Sequence, residues 1–212
     1  MTDSVIKLPH APLRGDVSLE ETISRRRSVR TYRIDALDLS AISQILWAAQ
    51  GLTDGRRFRA VPSPGATYPL EVFLCAGERG VVANKAKTPL EPLEAGICRC
   101  DADSHSLTLH RPGDFRSDLA QAALNQEFIG EAPASIVICA LYQRTATRYG
   151  ARAQRYVHME VGHAGQNTHL QAVALGLANV EVGAFRDEEV RIVLGVAGEV
   201  KTLYILPLGK PR

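Results

Sequence analysis

The spacing of apolar residues along the chain predicts several amphipathic helices. An N-cap at Ser18 followed by an acidic first turn predicts a helix from about Ser18 to Arg26. A second helix is predicted to begin at Asp38 or Ser40 and to end at Gly51. The longest helix is predicted from 152 to 177, where one apolar stripe contains Val157, Val161, Ala164, Thr168, Ala172 and Leu175.

Short runs that are almost wholly apolar predict the central strands of a sheet. Such runs are typical of strands that are buried on both faces. They lie at Leu70 to Ala76, Ser135 to Leu141 and Thr202 to Leu208. The segments 97–101 and 107–110 predict a hairpin, and 115–125 predicts a further helix. Strands that alternate with helices in this way indicate an α+β sandwich.

Three glycines, Gly162, Gly165 and Gly176, interrupt the pattern of the long helix. Each glycine in a helix interior costs about 1 kcal/mol relative to alanine, so their number indicates a closely approaching backbone. That backbone belongs either to the protein's own sheet or to a second subunit, and helical spacing alone does not separate the two. For Gly165 we predict contact with a second subunit.

Composition and charge narrow the class of protein. With 212 residues, of which 45% are hydrophobic and 23% charged, the chain is expected to fold as a single domain over residues 1–212. A net charge of +2 is too small to indicate a nucleic-acid or membrane partner. The sequence has no run of about 18 apolar residues, and its first residues lack the apolar core of a signal peptide. We therefore expect a cytoplasmic protein.

Cysteine and histidine spacing does not predict a metal site. Cys98 and Cys100 form a C-x-C pair, but the second pair that a zinc site requires is missing, so the cysteines are expected to be buried thiols. His158, His163 and His169 lie in the long helix, and 163 projects about 140° away from 158. The three imidazoles do not converge, and no metal is predicted.

The strongest local signal of chemistry is a basic segment, RRRSVR, at residues 25–30. Several guanidinium groups and a serine hydroxyl supply the charge-assisted donors that a phosphate group requires. A solvated basic face explains the run equally well. A nucleic-acid patch is disfavoured, because no aromatic residues for base stacking are interleaved with the arginines.

Two further segments carry features of a ligand site. The proline loop, residues 62–69 with the sequence PSPGATYP, is stiffened by three prolines, and Gly65 within it permits close backbone approach. Taken alone it predicts only a rigid loop. The VGAF segment, residues 182–185, follows the long helix, and its small residues leave backbone N–H groups accessible.

These segments, taken in order, resemble the nitroreductase superfamily and most closely its branch of azoline-oxidising dehydrogenases. The resemblance covers nearly the whole chain. It rests on RRRSVR, LWAAQGLT, PSPGATYP, FIGEAPA, RYGARAQRYVHMEVGHAGQNTHLQAVALGL, GAF and LGVAGEVKTLYILPLG. It implies an α+β three-layer sandwich with a mainly antiparallel central sheet flanked by helices. It also implies an intertwined homodimer, with one FMN at each end of the subunit interface.

The resemblance implies a set of cofactor-binding residues, taken position by position. The flavin phosphate and ribityl chain would be bound by Arg26, Arg27, Ser28 and Arg30. The isoalloxazine ring would be contacted by Pro62, Ser63 and Pro64, some of them from the partner subunit. The backbone amides of Gly183 and Ala184 would face flavin N5 and O4, where negative charge develops. Lys210 and Arg212 are further candidates for the phosphate.

The implied activity is that of an FMN-dependent oxidoreductase with ping-pong hydride transfer through the bound flavin. NAD(P)H would be the donor, and a small electron-poor compound such as a quinone or nitroaromatic would be the acceptor. Three alternatives stay open: oxidation of a thiazoline, an oxazoline or another organic substrate, flavin binding without turnover, and a basic binding module without flavin. Arg148-Tyr149 stands where azoline oxidases carry a Lys-Tyr pair, and arginine is a poor base. Arg186 stands where the family tends to have an acid.

Overall fold

A seven-stranded sheet forms the centre of the molecule. The computed structural model describes residues 5–55, 58–84 and 91–212. Within these ranges the strands are β1 (Val5–Lys7), β2 (Leu37–Asp38), β3 (Leu70–Ala76), β4 (Val81–Val82), β5 (Gly96–Asp101), β6 (Ser106–Pro112), β7 (Ala134–Leu141), β8 (Ala178–Asn179) and β9 (Val200–Gly209). The sheet order is β1-β6-β5-β3-β7-β9-β8, and all neighbouring strands are antiparallel. β2 and β4 form a separate parallel pair.

Helices cover both faces of this sheet. They are α1 (Leu19–Arg25), α2 (Leu39–Gln50), α3 (Arg116–Ala122), α4 (Glu127–Glu131), α5 (Tyr142–Tyr149), α6 (Ala153–Ala174) and α7 (Asp187–Leu194). Apolar residues of α2 and α6 pack on one face, and those of α3 and α7 pack on the other. This arrangement confirms the predicted α+β fold, with its mainly antiparallel sheet between helical layers.

The central strand β3 shows how the two cores are divided. Its seven residues are all buried. Because successive side chains of a strand point to opposite faces, Val72 and Leu74 join the core under α2 and α6. Phe73 and Cys75 join the core under α3 and α7 for the same reason. The near-continuous apolar run in the sequence therefore reflects burial on both faces.

The helix limits agree with local capping signals where such signals exist. Ser18 accepts a hydrogen bond from the Glu21 N–H, and Asp38 accepts one from the Ser40 N–H, as predicted for the starts of α1 and α2. The helix predicted over 115–125 ends earlier, at Ala122, with positive φ angles at 124 and 125. The long helix α6 is also shorter than predicted. Gly176, with φ 66°, lies beyond its end.

The glycines of α6 face different surroundings. A Cβ atom at Gly165 would lie 3.3 Å from the Tyr204 ring and 3.4 Å from Cγ of Glu181. Gly165 therefore packs against the protein's own chain, and our prediction that it contacts a second subunit is wrong. A Cβ atom at Gly162 would have no described atom within 4 Å, and nearby Met159 is 48% exposed. The uncovered face of α6 is thus the face that carries Gly162.

Candidate functional site

The basic segment lies on the surface and is held there through its backbone. The Val29 N–H donates to the Asn179 carbonyl at 3.0 Å, which attaches the segment to β8. The Arg27 guanidinium folds back onto carbonyls of its own segment, whereas Arg30 reaches across the Phe128 ring. Ser28 and Arg30 are exposed. The segment therefore presents polar and cationic side chains from a fixed backbone.

A buried histidine lies beneath the basic segment. His169 of α6 is 1% exposed, and its Nδ1 lies 2.7 Å from Glu181 Oε1 while its Nε2 lies 3.0 Å from the Arg27 carbonyl. Both partners are acceptors, so a ring that carries hydrogen on both nitrogens satisfies both contacts. Burial acts to raise the pKa of Glu181. The hydrogen bond from His169 and the charges of His169 and Arg26 outweigh it and lower the pKa. This network joins the basic segment to the start of the VGAF region.

The C-terminal residues are fixed beside the same segment. The Arg33 N–H donates to the Lys210 carbonyl at 2.9 Å, and Tyr32 pairs with Pro211. The Lys210 ammonium group lies 3.7 Å from Asp35. Lys210 is thus already engaged in an ion pair at the surface, while its backbone holds the tail against the residues that follow the basic segment.

The VGAF segment offers two adjacent backbone donors. Val182 exchanges two hydrogen bonds with Ile205 of β9, at 2.9 and 3.0 Å, which fixes the start of the segment. Gly183 and Ala184 are exposed, and no described residue accepts a hydrogen bond from either N–H. The Ala184 carbonyl is held by Gln126 at 2.8 Å. The two N–H groups are therefore fixed and available to a ligand.

An open groove of about 710 Å³ adjoins these donors. The residues that line this groove include Gly183, Phe185, Tyr142 and His158. The Tyr142 hydroxyl lies 2.6 Å from Nε2 of His158, with the two rings edge to face. Tyr142 was not predicted as a site residue, because it opens α5, a short and largely polar helix.

These features lie in order along α6. The basic segment contacts α6 at His169, and the groove adjoins it at His158, eleven residues or about 16 Å earlier along the axis. Glu181 bonds to His169 and also lies close to Gly165, and Gly183 of the VGAF segment lines the groove. Cationic donors at one end, backbone donors in the middle and an open groove at the other end fit an elongated ligand with a phosphate and a flat ring. The residues present therefore suit FMN.

The proline loop lies elsewhere on α6. Ser63 donates to Glu160 Oε2 at 2.7 Å and accepts from the Tyr68 N–H at 3.0 Å, so its hydroxyl is used within the chain. Pro62 is exposed, whereas Ser63 and Pro64 are half-buried. Glu160 lies nine residues before His169, about 13 Å along the helix. No hydrogen bond joins the described residues of the loop to those of the basic segment.

Glu160 is an unusual residue for a helix core. It is 1% exposed, and its second oxygen, Oε1, has no described hydrogen-bond partner. Burial raises the pKa of Glu160 to about 7. The hydrogen bond from Ser63 and the charge of Arg59 act to lower this pKa, but they offset the effect of burial only in part. The proline loop is thus tethered to a carboxyl group that changes charge near neutral pH.

We expect Glu160→Gln to remove a pH-dependent destabilisation of the fold. The folded protein binds the Glu160 proton more tightly than the unfolded chain does, so ionisation costs stability as the pH rises from about 4.5 towards 7. By pH 8 the wild type should have lost up to about 3 kcal/mol that the glutamine variant keeps. Urea unfolding at pH 5 and pH 8 measures this difference. Glu131→Gln, at an exposed position, is the control, and equal pH dependence in all three proteins would contradict the expectation.

Other candidate chemistry is not supported by the described part of the chain. All four cysteines are free, and burial raises the pKa of their thiols to about 11 or 12. Among residues 5–55, 58–84 and 91–212, no three metal-ligating side chains come together. No helix in those ranges has both the length and the apolar character that crossing a membrane requires.

Comparison with known protein families gives a match over most of the chain. Residues 23–210 match the Nitroreductase family. A Methanocaldococcus jannaschii protein whose name places it among the nitroreductases is 43% identical over 195 residues, which is 92% of each chain. The microcin B17-processing protein McbC of Escherichia coli is 28% identical over 185 residues. That alignment spans 82% of this chain and 64% of McbC.

Solved structures show the same fold. A structure from Anabaena variabilis that is described as a nitroreductase superimposes with a TM-score of 0.83 at 29% identity. The match covers 99% of this chain and 42% of that one. The NADPH:FMN oxidoreductase of Vibrio harveyi, solved with NAD+, gives a TM-score of 0.60 at 22% identity, over 91% of this chain and 68% of that one.

Proposed function

Since the chain belongs to the nitroreductase family, we propose that it is an FMN-dependent oxidoreductase that works as a homodimer. The proposed reaction is ping-pong hydride transfer from NAD(P)H to a small electron-poor acceptor such as a quinone or nitroaromatic. The observation that carries the proposal is the order of donors along α6, from the basic segment through the free amides to the groove. Bound FMN would supply the hydride chemistry.

The basic segment would hold the phosphate end of the cofactor. Arg26, Arg30 and the Ser28 hydroxyl point from a backbone that is tied to β8 and to His169. Charge-assisted contacts from guanidinium groups to phosphate are among the stronger hydrogen bonds in proteins. Arg27 would add positive charge, although its guanidinium also bonds to nearby carbonyls.

The amides of Gly183 and Ala184 would act at the ring end. Fixed N–H donors stabilise negative charge without reorganisation, which suits a ring that gains charge on reduction. The groove beside Gly183 would admit donor and acceptor in turn. The cysteines are free, as is usual in the reducing cytoplasm, and we propose that the protein acts there.

The homodimer would complete the site through the proline loop. In one chain the described residues of this loop are anchored at Glu160 and make no hydrogen bond with the basic segment. The uncovered face of α6, with Gly162 and Met159, is the surface on which a second copy would pack. Pro62 is exposed and could then contact the ring from the partner. Ser63 and Pro64 would position Pro62, since Ser63 is bonded within its own chain.

A structural neighbour supports a nicotinamide as the hydride donor. The Vibrio harveyi enzyme is named an NADPH:FMN oxidoreductase and was solved with NAD+. A groove that is open to solvent beside the proposed ring site is compatible with a visiting nicotinamide. We therefore propose NADH or NADPH as the reductant.

Azoline oxidation is the second candidate, and the relationship to McbC favours it. McbC processes microcin B17 and has been solved within the McbBCD complex. In this chain Arg148 lies against the Gly65 carbonyl at 3.4 Å and next to the Tyr149 ring. Arginine keeps its proton at any working pH, so it does not replace a lysine base.

A comparison of acceptors separates the two candidates. We expect nicotinamide-dependent reduction of a quinone and a nitroaromatic, with slow or no oxidation of a thiazoline-containing peptide. Arg148→Lys should leave quinone reduction within about two-fold, because that reaction needs no base at this position. Steady-state assays with the three substrates measure this. Rapid thiazoline turnover by the unmodified protein, with negligible quinone or nitro reduction, would reverse our ranking.

A further inference from the structure

We propose that Tyr142 donates a proton to the acceptor in the groove and that His158 replaces that proton. This inference rests on the proposed function and assigns its proton source. Both side chains line the groove that Gly183 also lines. Their contact, 2.6 Å between the Tyr142 hydroxyl and Nε2 of His158, is short and direct.

The surroundings of the pair suit a relay. Burial and then the Asp187 carboxylate raise the pKa of Tyr142, so the phenol carries its proton at neutral pH. His158 lines the groove beside Tyr142, and an imidazole is well suited to pass a proton from one atom to another. The other ionisable side chains lining the groove are Asp187 and Lys201. Both members of the relay therefore face the groove.

The proposed step balances in atoms and charge. A quinone that has received a hydride is an anion that needs one proton to become the hydroquinone. The Tyr142 O–H bond breaks and a new O–H bond forms on the product. The tyrosinate then takes a proton from Nε2 of the His158 imidazolium. The neutral imidazole regains its proton from water. The hydride comes from the nicotinamide, as in the proposed reaction.

Two electron acceptors, one that must take up a proton and one that need not, test the role of Tyr142. In Tyr142→Phe, reoxidation of the reduced protein by a quinone should slow at least about ten-fold, since a positioned proton donor contributes this much or more. Reoxidation by ferricyanide, which takes electrons without a proton, should slow by no more than about two-fold. Tyr156→Phe is the control, because it removes a phenol hydroxyl outside the groove lining.

His158→Gln tests the supply of protons to Tyr142. Glutamine can still hydrogen-bond to the phenol but does not exchange a proton. The quinone rate should fall at least about five-fold, and its pH profile should differ from that of the wild type because the imidazole no longer takes part. A quinone rate and pH profile equal to the wild type would overturn the relay.

A measurement without turnover tests the contact itself. In the flavin-free protein, nitrogen NMR of His158 should show a hydrogen-bonded Nε2, and Tyr142→Phe should shift this resonance while Tyr156→Phe leaves it in place. An unshifted resonance, a quinone rate within two-fold of wild type, or equal slowing with ferricyanide would each overturn the proposal. A wild-type protein that oxidises no nicotinamide but keeps the NMR signature would instead contradict the proposed function, and the relay would fall with it.

Discussion

Replacing Arg26 and Arg30 together by alanine should weaken FMN binding at least about 100-fold while leaving the protein folded. Each guanidinium is expected to make a charge-assisted contact with phosphate that contributes about 1.5–3 kcal/mol. Two such contacts correspond to at least about two powers of ten in the dissociation constant. Fluorescence titration of the flavin-free variant with FMN measures the loss, and circular dichroism should show unchanged helix content.

A matched variant separates a phosphate site from a general loss of positive charge. Arg25 is the first residue of the basic segment and Arg33 follows the segment; both are exposed, and they pair with Glu21 and Asp35 respectively. The double alanine variant at these positions removes the same charge, and we expect its FMN affinity to stay within about three-fold of wild type, because screened surface charges contribute little. Equal losses in both double variants, or no loss in the first, would rule out the phosphate assignment.

Gly162→Glu should convert a dimer into monomers that hold little FMN. If the uncovered face of α6 packs on a second copy, a carboxylate at Gly162 is buried without a partner, at a cost of about 3 kcal/mol or more. The dimer dissociation constant should then rise at least about 100-fold. Sedimentation velocity over a dilution series measures the constant, and absorbance of the same samples measures flavin content.

The control for this substitution is Gly198→Glu, at an exposed glycine with open space around it. That variant should sediment like the wild type. Gly165→Leu is expected to behave differently from both, since its side chain would press on Tyr204 and destabilise the fold itself. A Gly162→Glu protein that remains dimeric with full flavin content would show that the subunits meet elsewhere.

The sequence predicted those elements whose signals are local. Ser18 and Asp38 cap α1 and α2 through bonds to residues two or three positions away, so the pattern located the start of α1 and placed the start of α2 at Asp38 or Ser40. The apolar runs of β3 and β7 were predicted because burial on both faces leaves a contiguous signal. β1 and β8 were missed, since strands of two or three residues owe their form to distant partners.

The site was less predictable because its contacts are tertiary. The helical spacing of residues in α6 does not show that Gly165 faces Tyr204 while Gly162 faces open space. Similarly, the pairing of Tyr142 with His158 depends on how α5 folds back beside α6. The bond from Ser63 to Glu160 joins positions far apart in the sequence. The basic segment and the VGAF segment could be proposed as ligand sites from the sequence because like-charged or small residues cluster there.

The most direct test of the account is the cofactor content and redox response of the purified wild-type protein. We predict a yellow protein that releases FMN on denaturation, with about one FMN per chain. Under anaerobic conditions its flavin absorbance should bleach on addition of NADH or NADPH and return when a quinone is added. A colourless protein that FMN does not reconstitute would contradict the central claim and favour a basic binding module without flavin.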